Sequence, residues 1–190
     1  MDNNMKQSVK FFILTVLLIG VLVGAYFAYQ ALKGDGSAEI TQAQSTTASE
    51  QADGKATDFK AVDANGNDVK LSAYFGKPTV VNFWATWCGY CVREMPLFES
   101  KYKELGDKYH FVMVNLTDGD RETLKKATAF IKENKFTFPV LYDTYGEALQ
   151  TYEAYTIPIT LFINADGTLM EKYTGAMTEE VLTQKLSELS

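Results

Sequence analysis

Along the chain the first marked feature is an apolar run with no polar face. From Phe11 to Leu32 there are 22 residues without a charge, FFILTVLLIGVLVGAYFAYQAL, preceded by Lys6 and Lys10 and followed by Lys33. At about 1.5 Å per residue a helix of this length covers roughly 33 Å, close to the ~30 Å hydrocarbon core of a bilayer. Tyr26, Phe27 and Tyr29 lie toward its far end, where amphipathic rings settle at headgroup level. The pattern predicts a transmembrane signal anchor at 11–32, a cytoplasmic amino terminus at 1–10 held inside by the two lysines, and an extracytoplasmic remainder. A cleaved signal peptide is the alternative, but its apolar stretch is usually only about 7–15 residues, and Gly36-Ser37-Ala38 is a weak cleavage site. Either reading exports the rest of the chain.

Residues 33–57 hold one strongly apolar side chain, Ile40, among Gly, Ser, Thr, Gln and Ala, which predicts a flexible linker. Periodic patterns begin at Asp58. The segments DFKAVD and VKLSAYF flank an Asn65-Gly66 turn signal and predict a hairpin. The run Thr79–Trp84 reads as a buried strand, and Met95, Phe98, Tyr102 and Leu105 recur at helical spacing in a helix from Cys91 to about Asp107, which Pro96 should kink. A strand at 110–116, an amphipathic helix at 121–134, a strand at 138–143 and a short helix at 147–155 follow. Last come TLFIN, the turn Ala165-Asp166-Gly167, TLMEKYTG and a helix capped by Thr178. Strand and helix alternating, then a closing hairpin, predict one α/β domain at 58–190: a mixed sheet with helices on both faces.

Composition narrows the chemistry. With 18 Lys+Arg against 24 Asp+Glu the formal charge is −6, which argues against nucleic acid as a partner. Two cysteines and one histidine cannot build a disulfide framework, an iron–sulfur centre or a single-chain tetrahedral zinc site. What remains is Cys88-Gly89-Tyr90-Cys91. Cys88 falls where a strand hands over to a helix, and the unpaired N–H groups of a helix amino terminus favour a thiolate, the species that attacks disulfides. Cys88 is thus the expected exposed nucleophile, and the more buried Cys91, three residues on, the resolving thiol. A passive disulfide is the competing reading. Closing a four-residue loop removes only roughly 2 kcal/mol of unfolded-state entropy, against ~3 for fifteen residues, so the pair is a poor staple. Half of a zinc site shared between chains is a further alternative, with His110 the one imidazole and far along the sequence.

The phrase Trp84-Ala85-Thr86-Trp87-Cys88-Gly89-Tyr90-Cys91, with Thr156-Ile157-Pro158-Ile159-Thr160 later, resembles a thioredoxin-fold active site and its partner loop. The anchor, NFWATWCxxCxxEMP, VNLTDGDRETLKKATAFIKENKFTFPVLYD and LFINADGTL are similar to the membrane-tethered TlpA/ResA-like thiol-disulfide oxidoreductases. The resemblance implies a thioredoxin-like sheet over 58–190 with an N-terminal hairpin extension, a cis Ile157–Pro158 bond facing the cysteines, and a role for Glu94 near them. Glu94 lies one turn beyond Cys91 and could take the proton of the buried thiol, a solvated helix carboxylate being the plainer alternative. Asn82 stands where ordinary thioredoxins carry a buried aspartate, and Tyr90 replaces their proline. Trp87 is read either as a shield and apolar contact for a partner or as packing; with Gly89, Tyr90, Ile157 and Pro158 it makes up the expected substrate-binding surface.

The expected function is an extracytoplasmic, membrane-anchored oxidoreductase with no cofactor or metal. It would reduce exported protein disulfides, such as those of apocytochrome c, with electrons from a CcdA/DsbD-like integral-membrane thiol carrier. A tethered binding module with incidental cysteines, a thiol oxidant and a peroxidase on the same fold are the alternatives.

Overall fold

The computed structural model describes residues 54–190 together with Gly20, Val23 and Tyr26. The expected anchor, apart from those three residues, and most of the expected linker lie outside the described residues. Among the described residues, no helix is long and apolar enough to cross a membrane.

Within residues 54–190 the strands are β1 (Lys60–Val62), β2 (Asp68–Lys70), β3 (Thr79–Trp84), β4 (His110–Asn115), β5 (Val140–Tyr142), β6 (Ile159–Ile163) and β7 (Leu169–Thr174), and the α-helices are α1 (Gly89–Leu105), α2 (Leu124–Glu133), α3 (Glu147–Thr151) and α4 (Glu179–Glu188). The strands form one mixed sheet in the order β2-β1-β5-β4-β3-β6-β7. β3, β4 and β5 run parallel in its centre, and the remaining pairs are antiparallel. This is a thioredoxin-like α/β fold.

Between β1 and β2, Asp63 folds the chain back: its Oδ1 accepts the N–H groups of Asn65 and Asn67, and Gly66 supplies a φ of 82° that other residues rarely adopt. The domain begins before Asp58. Lys55 bridges to Thr168, and the buried Ala56 donates its N–H to the carbonyl of Gly167 at 2.8 Å. Residues 54–57 therefore belong to the folded body rather than to the linker, because the turn after β6 supplies backbone partners that local composition cannot reveal.

All six side chains of β3 are buried, so the strand is covered on both faces. Successive residues point to opposite sides. Val81 and Phe83 join one core with Val112, Val114, Leu141, Tyr152 and Leu161, while Val80 and Trp84 join another with Met95, Phe98, Phe111, Met113, Phe162 and Leu182. The second core carries α1 and the cysteines.

Helix ends follow their caps. Thr178 Oγ1 accepts the N–H of Val181, and Thr123 Oγ1 accepts that of Lys126 at 3.2 Å. The second cap starts α2 at Leu124, so the helix expected from 121 leaves Arg121 and Glu122 in the preceding loop. α1 begins at Gly89, two residues earlier than periodicity suggests, and it continues through Pro96 to Leu105.

Candidate active site

Strand β3 ends at Trp84, the chain turns through Ala85-Thr86-Trp87, and Cys88 becomes the N-cap of α1. Cys88 and Cys91 are joined as a disulfide with their Cα atoms 5.3 Å apart. Cys88 Sγ also accepts the N–H of Cys91 at 3.2 Å. Charge left on this sulfur after reduction would therefore face the amino-terminal N–H groups of a 17-residue helix.

The expected exposure of Cys88 needs correction. It is 6% exposed and Cys91 is 0% exposed. The order of the two is as expected, but Cys88 is nearly covered, because the loop before β6 reaches it: the carbonyl oxygen of Ile157 lies 3.6 Å from Cys88 Sγ. The Ile157–Pro158 bond is cis, and Pro158 accepts a hydrogen bond from the N–H of Gly175. Residues 69 positions apart in sequence thus form one surface. Trp87 and Tyr90 stand out from it, 41% and 64% exposed. Gly89, the first residue of α1, has Arg93 against it: a Cβ built there would lie 3.6 Å from Arg93 Nη1.

Glu94 is not a solvated helix carboxylate. It is 4% exposed, with Oε1 accepting from Asn82 Nδ2 and Oε2 accepting from the N–H of Met177, both at 2.9 Å. Neither bond goes to a sulfur. Burial raises its pKa above the usual carboxylate value, and the two donors offset this only partly. Asn82 and Thr160 face each other in the β3–β6 register, and Asn82 Nδ2 also reaches Thr160 Oγ1 at 3.0 Å. Asn82 Oδ1 has no hydrogen-bond partner among the described residues. As placed, the amide offers its N–H groups to Glu94 and Thr160, an arrangement that suits a carboxylate oxygen as acceptor. His110 sits at the start of β4 with its ring edge-on to Tyr74, and burial holds its pKa below the ordinary value.

Residues 52–172 match the model of the AhpC/TSA family. The chain belongs to that family. It is 35% identical to the Thioredoxin-like protein YneN of Bacillus subtilis over 132 residues, covering 70% of this chain and 76% of YneN. To the thiol-disulfide oxidoreductase ResA of Bacillus subtilis it is 32% identical over 180 residues, covering 94% of this chain and 92% of ResA. The crystal structure of StoA from Bacillus subtilis matches with a TM-score of 0.60 at 32% identity, over 68% of this chain and 96% of StoA. With such relatives and a Cys88–Cys91 disulfide at the head of α1, this AhpC/TSA member is a thiol-disulfide oxidoreductase.

One part of its site escapes a reading of periodicity and motif. Glu122 is fully buried; its Oε1 accepts the Thr86 N–H at 2.9 Å and Asn115 Nδ2 at 2.7 Å, and its Oε2 accepts Thr86 Oγ1 at 2.6 Å. Asn115, at the end of β4, also accepts Thr117 Oγ1 on its Oδ1 at 2.7 Å. Asp118 holds the loop in shape by accepting the N–H groups of Asp120 and Glu122. Glu122 thereby ties the segment just before Cys88 to the end of β4. The available signal was Thr123 as an N-cap, which would have moved Glu122 out of the helix and into a loop at the sheet's active-site end.

Proposed function

We propose that this thiol-disulfide oxidoreductase reduces disulfides in exported proteins, apocytochrome c being the example suggested by the family resemblance, on the extracytoplasmic side of a membrane to which residues 11–32 anchor it. The observation that carries the redox reading is Cys88 at the N-cap of α1, bonded to a buried partner three residues on.

In the reduced enzyme the Cys88 thiolate attacks one sulfur of the substrate disulfide. That bond breaks, a mixed disulfide forms, and the departing substrate sulfur takes a proton. Cys91, losing its proton, attacks Cys88 Sγ and expels the second substrate sulfur, which is protonated in turn. Two electrons pass to the substrate together with two protons, one released by Cys91 and one taken from solvent in place of the proton the Cys88 thiolate had already lost, and the enzyme is left as the disulfide. A second dithiol, on a CcdA/DsbD-like integral-membrane thiol carrier, resets it by the same exchange in reverse. Glu94 receives the proton of Cys91: it lies one turn on along α1, and its raised pKa brings it closer to a thiol's range than an exposed carboxylate would be. Trp87, Gly89, Tyr90, Ile157 and Pro158 form the surface on which the substrate segment lies. The uncharged run Phe11–Leu32, with Lys6 and Lys10 on one side, supports the anchor and its direction.

Insulin reduction by dithiothreitol tests the chemistry. The full-length chain is expected to accelerate it, and Cys88→Ser to return it to the uncatalysed rate; equal rates for the two would overturn the proposal. For location, a membrane-impermeant maleimide applied to intact reduced cells should label Cys88. Labelling only after lysis would remove the extracytoplasmic assignment.

A further inference from the structure

Arg93 and Arg121 are the two arginines of the chain, and both lie at the redox site. Arg121 places its guanidinium carbon 4.0 Å from the ring centroid of Trp87, and Arg93 places its own 4.4 Å from that of Tyr90. Trp87 immediately precedes Cys88, and Tyr90 follows it by two residues, so the two stacked pairs bracket the nucleophile. Stacking occupies the face of a guanidinium and leaves its N–H edge free to grip a carboxylate with two parallel hydrogen bonds. Among the described residues the ion pairs are made by lysines, and neither arginine is in one. The acids close by in sequence are engaged elsewhere: Asp118 with loop N–H groups, Glu122 with Thr86 and Asn115, Glu94 with Asn82 and Met177. Asp120, exposed in the same loop as Arg121, forms no ion pair with it.

We propose that Arg93 and Arg121 form a carboxylate clamp that selects disulfides flanked by Asp or Glu in the partner polypeptide. The inference rests on the exchange function above and specifies its substrate class. A partner cysteine lying on Cys88 would have its neighbouring residues over Trp87 on one side and Tyr90 on the other, within reach of the two guanidinium edges. The chain's overall charge of −6 makes the prediction distinctive. Net charge alone attracts basic substrates, whereas the clamp favours acidic ones.

The test uses the reduced full-length chain and two disulfide peptides that differ only in carrying Glu or Lys on each side of the cysteine. Each rate is divided by that of the same peptide with dithiothreitol. The Glu peptide should react about three- to tenfold faster, the size of effect that two exposed charge pairs deliver. The preference should vanish in Arg93→Gln/Arg121→Gln and survive in direction in Arg93→Lys/Arg121→Lys, both arginines being exposed and so replaceable without disturbing the core. Equal rates, a faster Lys peptide, or a preference unchanged by the glutamine pair would overturn the clamp. A native chain that reduced neither peptide would instead remove the exchange function, and the clamp with it.

Discussion

Glu122 meets three hydrogen-bond donors where Glu94 meets two, although both carboxylates are buried around the Cys88 segment. Two of the donors to Glu122 belong to Thr86, so this acid fixes backbone position. The donors to Glu94 leave burial as the stronger influence on its pKa. Two buried carboxylates can thus do different work: three donors, two of them on one residue, tie Glu122 to the backbone, while burial raises the pKa of Glu94. Glu122 is an anchor, and Glu94 is the acid whose pKa burial raises.

The largest effect should come from removing the anchor. Glu122→Ala leaves the Thr86 N–H, its hydroxyl and the Asn115 amide without their acceptor, and about 2–4 kcal/mol of stability should be lost in urea unfolding. The pH profile of disulfide exchange should keep its shape. A loss below about 0.5 kcal/mol would show that solvent replaces these bonds and would break the contrast.

Asn82→Asp sharpens the other side by setting a second carboxylate against Glu94. The two cannot both ionise cheaply, so the variant should be about 1–3 kcal/mol less stable than native at neutral pH, with the gap closing as acid protonates the pair. A gap independent of pH would mean that the pocket is wetter than its burial implies.

Glu94→Gln isolates a smaller, pH-dependent difference. Below the ordinary carboxylate value of 4.5 Glu94 is neutral in both folded and unfolded chains. As pH rises toward the raised folded value, the unfolded chain ionises freely while the folded one resists, so native stability falls relative to the glutamine variant. Unfolding curves for the two proteins across this interval should diverge in that direction, by about 1.4 kcal/mol for each unit of upward shift. Parallel curves would make Glu94 an ordinary carboxylate. Smallest of all, Thr86→Val removes a single donor from Glu122 and should cost about 1 kcal/mol with no change in the pH profile.

Much of this arrangement was legible before the fold. β3, β4 and β6 announce themselves as apolar runs, and Cys88 at a strand-to-helix junction is visible from TVVNFWATWC. Glu94 was identifiable as a candidate from its spacing to Cys91, though its burial was not, since that depends on Asn82 and on Met177, 83 residues away. The near-complete cover over Cys88 likewise comes from Ile157 by tertiary approach. Glu122 was hidden for a different reason: a glutamate amid DGDRET looks like solvated loop or the start of a helix, and only the proximity of Thr86 and Asn115 gives it a function. The two arginines were equally silent, because stacking on a ring leaves no periodic trace in sequence.

Trapping the mixed disulfide would show which sulfur of the pair attacks. The full-length Cys91→Ser chain, reduced and then mixed with a disulfide peptide, should accumulate a covalent adduct whose mass and proteolytic fragments place the peptide on Cys88, and Cys88→Ser should yield no such long-lived species. If the Cys91→Ser chain stays unmodified while a free thiol reacts with the same peptide, Cys88 is not a nucleophile toward disulfides and the account is wrong.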